Sequence, residues 1–309
     1  MYVPFRTLKC VGQSKDKPMD DCIRIRSGDS WAEIALLGAE MRAWEVGGVP
    51  LLWTPDPSIW AETSPILFPV VGWTRNGEVR VGAKSYPLGL HGFARHSCFR
   101  VAERRDDYVS LVLDSNETTR RLYPFEFSFS VAYRLEGPSL SIRLSVFNRG
   151  HADMPYACGL HPGFRWPLVA EGQAEHRLIF DREEEPQVPE ITAQGLFAAS
   201  RRGVPLQGRS LALSPDLFEK EALCFLNVKS QGLTFASGDG ALLRFDMEGF
   251  RHVALWSKPK APFIAIELWT GHGDPQDYAG DLFAKPSMEI LAAGIEAHHE
   301  ARISFRQEA

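Results

Sequence analysis

This 309-residue sequence lacks several signatures, and each lack excludes a class of function. No stretch approaches eighteen consecutive apolar residues, which argues against a helical membrane span. Residues 1–21 carry neither an apolar core nor a small-residue cleavage site, so a cytoplasmic protein with no membrane contact is expected. The five cysteines, Cys10, Cys22, Cys98, Cys158 and Cys224, are scattered and form no C-x-x-C pair; all five read as free thiols, with neither a disulfide framework nor a zinc site. An excess of one charge is missing too. The 34 basic and 39 acidic residues give a net charge of −5, which disfavours a nucleic-acid surface or a polybasic anchor. There is no G-x-G-x-x-G, P-loop, G-x-S-x-G or H-E-x-x-H motif, so no nucleotide cofactor, hydrolase elbow or zinc-protease helix is expected. The adjacent His298 and His299 would point to opposite faces of a strand, which is a poor start for a metal site.

Aromatic residues are plentiful instead. Eight Trp and nineteen Phe exceed what a core of this size needs, and part of that surface is available as a binding floor. Hydrophobic periodicity is that of strands. Phe127, Phe129, Val131, Tyr133 and Leu135 alternate with small or polar residues, as do Leu140, Ile142, Leu144 and Val146, with the turn signal Glu136-Gly137-Pro138 between them. Similar short runs recur from Cys22 to Phe305. Helical signals are confined to Asp114–Leu122 and Ser214–Leu223, each too short to cross over a parallel sheet. The expectation is an all-β fold, a large sandwich of many antiparallel strands with a few short helices, in one domain over residues 1–309 with its core at about 20–306. The segment Asp181–Ser210 reads as a solvated excursion on its rim.

Three places break the sandwich pattern. His91 lies in Leu90-His91-Gly92-Phe93-Ala94-Arg95, where it is either a turn residue or a site residue. Alternation puts Tyr156, Cys158 and Leu160 on one face and Ala157, Gly159 and His161 on the other, so His161 projects over small neighbours just before Pro162 and Gly163 end the strand. It either caps that turn or faces a ligand. In Phe263–Trp269, Ile264, Ile266 and Leu268 share one face while Ala265, Glu267 and Trp269 share the other. Glu267 is then either solvated outside or set in a polar cavity beside an indole. A Glu and a His over one concave surface make a general base and a general acid, with ordinary pKa values of roughly 4.3 and 6.5.

At these places the sequence resembles the aldose 1-epimerase (mutarotase) family. The matching pieces, in order, are Pro65–Gly72, His91–Arg95, Tyr123–Phe125, Gly159–Phe164, Leu217–Leu223 and Phe263–Trp269 followed by Gly280-Asp281-Leu282. The resemblance implies a galactose-mutarotase-like supersandwich whose concave face takes a monosaccharide, acting as a monomer or homodimer. It implies Glu267 as general base, His161 as general acid and His91 as a second histidine near the ring oxygen. Glu221 falls where the family usually has an Asp that holds sugar hydroxyls.

One departure bears on the substrate. Where relatives usually carry an Arg after Val71-Gly72, this chain has Trp73. In an extended segment Trp73 and Arg75 share a face, so Arg75 is expected to supply part of the contact while Trp73 and Trp269 offer stacking surfaces. Two rivals remain at this point: a hexose-6-phosphate mutarotase with Arg75, Arg95 or Arg165 as phosphate ligands, and a non-catalytic sugar-binding protein.

Overall fold

The alternation read between Phe127 and Val146 forms the centre of the larger sheet. Phe127–Glu136 and Ser139–Asn148 pair antiparallel, with Phe129 opposite Val146, Val131 opposite Leu144 and Tyr133 opposite Ile142. All six are buried, because a period of two puts them on one face. The computed structural model describes residues 22–169, 175–259 and 261–307. Nine antiparallel strands make this sheet, in the order Ser210–Leu213, His176–Phe180, Gly232–Ser237, Ala241–Glu248, Glu296–Gln307, Ser139–Asn148, Phe127–Glu136, Tyr108–Asp114 and Arg100–Arg105.

A second sheet runs in the order Leu223–Leu226, His252–Trp256, Phe263–Trp269, Gly159–Leu160 and Ile66–Leu67, with Gly163–Arg165 also pairing to Phe263–Trp269. Aromatic contacts join the two sheets. Phe68, following Ile66–Leu67, stacks on Phe129 at 4.3 Å between centroids, and Phe164 meets Phe245 edge-on at 5.4 Å. One contiguous apolar core runs from Ile23 to Phe305 and takes in the inward faces of both. The outward face of the smaller sheet carries a separate small cluster of Leu67, Val71, Ala157, Phe197, Cys224, Ala254 and Trp269. That face holds the candidate site.

Several expectations change. Asp181–Ser210 contains a two-stranded ribbon, Gln187–Ile191 with Phe197–Gly203, where a solvated excursion was expected. Its outer strand mixes Ala, Ser, Arg and Gly, so it has no apolar alternation to read. The helical signal at Ser214 yields only a 3-10 turn, Pro215–Phe218, without a side-chain cap. The signal near Asn116 does form a helix, Glu117–Leu122, closed by a capping box between Asn116 and Thr119. Cys98 is disulfide-bonded, against the reading of five free thiols, whereas Cys158 and Cys224 are free and buried; Cys10 lies outside the described residues. Among the described residues no helix is long and apolar enough to cross a membrane.

Candidate active site

Glu267 owes its place to strand parity. All seven residues of Phe263–Trp269 are buried, with Ile264, Ile266 and Leu268 in the main core. Glu267 therefore faces the other way, and its register partner Ala254 leaves the carboxylate room. It is 2% exposed, so of the two readings open from sequence the polar cavity is the one realised. Its Oε2 accepts the Trp269 indole N–H at 3.0 Å, and its Oε1 lies 3.2 Å from His161 Nε2. Gly159 pairs with Trp269 and leads directly into His161. His161 is held at the backbone by its N–H to the Pro65 carbonyl at 3.2 Å.

His91 reaches the same place from a strained backbone. Its φ of +61° is uncommon for a side chain branched beyond Cβ, and such positions persist where surrounding bonds over-determine them. Here Gly72 does so twice. The His91 N–H donates to the Gly72 carbonyl at 3.0 Å, and the Gly72 N–H donates to His91 Nδ1 at 3.1 Å. An accepting Nδ1 puts the proton of the neutral ring on Nε2, making His91 a hydrogen-bond donor.

One ligating atom each from His91, His161 and Glu267 lie within 4.8 Å of one another, a spacing that also suits a metal ion. The donor chemistry does not. His91 Nδ1 is occupied by the Gly72 N–H and its Nε2 carries the proton, so neither nitrogen is free to ligate. His161 Nε2 is engaged with Glu267.

The charge states follow from burial. Desolvation pushes the Glu267 carboxyl well above 4.5, partly offset by the Trp269 N–H. It also pushes His161 down to about 3, with its own backbone acting in the opposite sense and Arg95 adding repulsion. His91 is lowered by burial, then by His161 and Arg95. Glu267 and His161 therefore titrate as a unit that keeps one proton between them over a wide pH range.

Burial of histidine extends beyond the site. His252, His272 and His299 are also held below 6.5, in each case chiefly by desolvation. A depressed folded-state pKa means that the unfolded chain binds more protons, so stability is present above 6.5 and is lost as pH falls below it. Each such group contributes a slope of about 1.4 kcal/mol per pH unit, opposed by the raised carboxyls of Glu40 and Glu267. The expected outcome is a melting temperature that falls from pH 7 to pH 5, with more than one proton taken up per chain on unfolding near pH 5.5. Calorimetry in buffers of different ionisation enthalpy measures that number, and zero uptake would contradict it.

These three residues open into a cleft of about 660 Å³. Trp60, Trp73, Trp256 and Trp269 line it, half of the eight tryptophans. Trp73 is 38% exposed at the rim and packs against the Thr192–Gly195 turn. A Cβ on Gly195, which has φ +79°, would sit 1.9 Å from the indole, so only glycine fits. Glu221 lines the cleft where a second cavity of about 490 Å³ begins.

Arg75 is not in the cleft. The expected face shared with Trp73 requires an extended chain, but the backbone turns after Thr74 into the 3-10 segment Arg75–Gly77, with Asn76 at φ +58°. The Arg75 N–H binds Asp274 at 2.8 Å and its guanidinium turns to the Tyr278 carbonyl, lining a separate cavity of about 310 Å³. The arginine of the cleft is Arg95, ion-paired to Glu62 at 3.1 Å. Sequence reasoning also missed Trp60, Trp256, Glu62 and the ribbon tip as cleft residues. The tip has a signal in retrospect, Thr192-Ala-Gln-Gly195, a glycine-bearing turn between two strands.

The family model described as Aldose 1-epimerase matches residues 21–201, more than half of the chain. The chain belongs to the aldose 1-epimerase family. Protein LacX of Lactococcus lactis is 32% identical over 252 residues, covering 78% of this chain and 84% of that one. A galactose mutarotase-like protein from Lactobacillus casei superimposes with a TM-score of 0.86 at 29% identity, covering 92% of this chain and 100% of that one. A galactose mutarotase related enzyme from Lactobacillus acidophilus gives 0.84 at 28%, covering 93% and 97%. This aldose 1-epimerase family member is accordingly an isomerase-class enzyme with a galactose mutarotase-like sandwich, and the family acts on small sugars.

Proposed function

We propose that this protein interconverts the α and β anomers of a free, uncharged aldohexose, within one domain and in the cytoplasm, with Glu267 as base and His161 as acid. The observation that carries this is the 3.2 Å contact between Glu267 Oε1 and His161 Nε2 on the floor of a tryptophan-lined cleft. In the reactive tautomer Glu267 is a carboxylate and His161 an imidazolium. The carboxylate takes the proton of the C1 hydroxyl, the C1–O5 bond breaks with its electron pair going to O5, and O5 takes the proton of His161. Rotation about C1–C2 exposes the other face of the aldehyde. The reverse transfers close the ring in the opposite configuration.

Burial favours the state reached in mid-reaction. After ring opening the pair is a neutral carboxylic acid and a neutral imidazole, the charge distribution toward which desolvation drives both groups. The number of protons on the pair never changes, so no proton has to enter or leave the cleft during turnover. His91, a donor at Nε2, is placed to stabilise negative charge on a sugar oxygen.

Charge in the cleft supports an uncharged substrate over a phosphorylated one. Glu62 pairs with Arg95, the only cationic side chain of the cleft among the described residues, and Glu221 adds a further carboxylate. Arg75 lies elsewhere and Arg165 is exposed outside the cleft lining. Catalytic amounts of the protein are expected to accelerate equilibration of freshly dissolved α-glucose or α-galactose in a saturable way, followed by polarimetry. No acceleration would favour a binding protein, and a KM at least tenfold lower for glucose 6-phosphate would favour the phosphorylated substrate.

A further inference from the structure

We propose that Trp60 and Trp256 form an aromatic cradle that orients the His161 ring and stabilises its imidazolium form, so that both are positioning residues for the general acid; the inference rests on the acid role given to His161 above. A catalytic histidine is ordinarily oriented through its second nitrogen by a carboxylate or a carbonyl. His161 has no such bond to another residue: its Nδ1 is buried without a partner from elsewhere in the fold, and only its own backbone acts on the ring. Ring packing is what fixes it. The Trp60 ring lies 5.2 Å from the imidazole, tilted by 36°, and the Trp256 ring lies 5.8 Å away at 79°, with His91 edge-on at 5.6 Å.

The cradle is itself braced. Trp60 stacks on Phe263 at 5.0 Å and 27°, and meets Trp256 edge-on at 5.5 Å. Trp256 also contacts Phe263 at 5.5 Å, while the Trp53 indole donates to the Trp60 carbonyl at 3.1 Å. Gly163 lies against Trp60, and a Cβ there would come 2.5 Å from the indole. The missing side chain at 163 thus makes the space that the tryptophan fills.

The electrostatic need for such a cradle is visible in what surrounds His161. Its own backbone and Glu267 favour the imidazolium, while Arg95 opposes it and is itself partly neutralised by Glu62. His91, from the neighbouring segment, is held neutral. Burial opposes the charge as well. Both indole rings are within the roughly 6 Å at which an aromatic quadrupole attracts a cation, so they act with Glu267 against the loss of solvation.

The test uses the full-length protein and follows mutarotation of α-glucose, with Trp60→Leu and Trp60→Phe compared with wild type. Trp60→Leu is expected to lower kcat about tenfold and leave KM within threefold; added to Glu267→Gln, where the imidazole titrates alone, it is expected to move the limb of the residual rate to lower pH, because the imidazolium is then less favoured. Trp60→Phe is expected to recover at least half of the lost rate. A rise in KM with kcat and that limb unchanged would mean that Trp60 stacks on sugar and would overturn the cradle. Normal kcat in Trp60→Leu with the limb unmoved would overturn it too. Inactive wild-type protein would instead sink the mutarotase reading on which the cradle depends.

Discussion

Glu267→Gln is expected to lower kcat by about 10² to 10⁴, the range over which a positioned general base acts, and to leave folding intact. The amide is nearly isosteric with the carboxyl it replaces. Its oxygen still accepts the Trp269 indole N–H and its nitrogen can donate to His161 Nε2, so both contacts of the wild-type side chain survive. What is lost is the ability to take a proton from the C1 hydroxyl. Stability is expected to hold or rise, because a buried group that must ionise to work is replaced by one that stays neutral. Sugar binding, measured by calorimetry or saturation-transfer NMR, is expected to change by less than threefold. Retained kcat in a folded variant would remove Glu267 from the base role.

How far the site was legible in sequence depended on which physical rule governed each residue. Period two governs Glu267: once Ile264, Ile266 and Leu268 are assigned to the core, the carboxylate has to face the opposite side. What parity does not say is whether that side is solvent: Trp269 on the same strand face supplies the indole bond, but the His161 contact and the rest of the cleft come from other segments. The strand pattern of the larger sheet was readable for the same reason, since its buried face is continuous. Arg75 went wrong because the inference assumed extended backbone where Asn76 at φ +58° and Gly77 at φ +70° reverse the chain, a turn that the Asn-Gly dipeptide signals in the sequence. The ribbon tip and Trp60 escaped because they reach the cleft by tertiary packing. Trp60 is recruited through its contacts with Phe263 and Trp256, whose sequence separations carry no local signature. The aromatic surplus was visible from the start, but its division between core and cleft was not: Trp44 is buried in the core while Trp60, Trp73, Trp256 and Trp269 line the cleft.

Coupling between Glu267 and His161 makes the residual activities of their two single variants slope in opposite directions with pH. In wild type, a proton on Glu267 does not inactivate the pair, since the same proton can pass to His161 and serve as the acid. Inactivation at low pH needs a second proton, which a carboxylic acid beside an imidazole held near 3 accepts only well below the ordinary histidine range. The wild-type kcat/KM is therefore expected to be flat through pH 4.5, whereas independent groups would begin to fail there. His161→Gln removes the acid and leaves Glu267 alone with its raised pKa, so its residual rate, about 10² to 10⁴ below wild type, is expected to increase with pH as the carboxyl ionises. Glu267→Gln leaves a lone imidazole whose pKa is depressed, and its residual rate is expected to increase as pH falls. Measuring both profiles over the range in which circular dichroism shows folded protein separates the two roles without reference to their magnitudes. If both variants slope the same way, the assignment of base to Glu267 and acid to His161 is wrong, even if each substitution abolishes most of the activity.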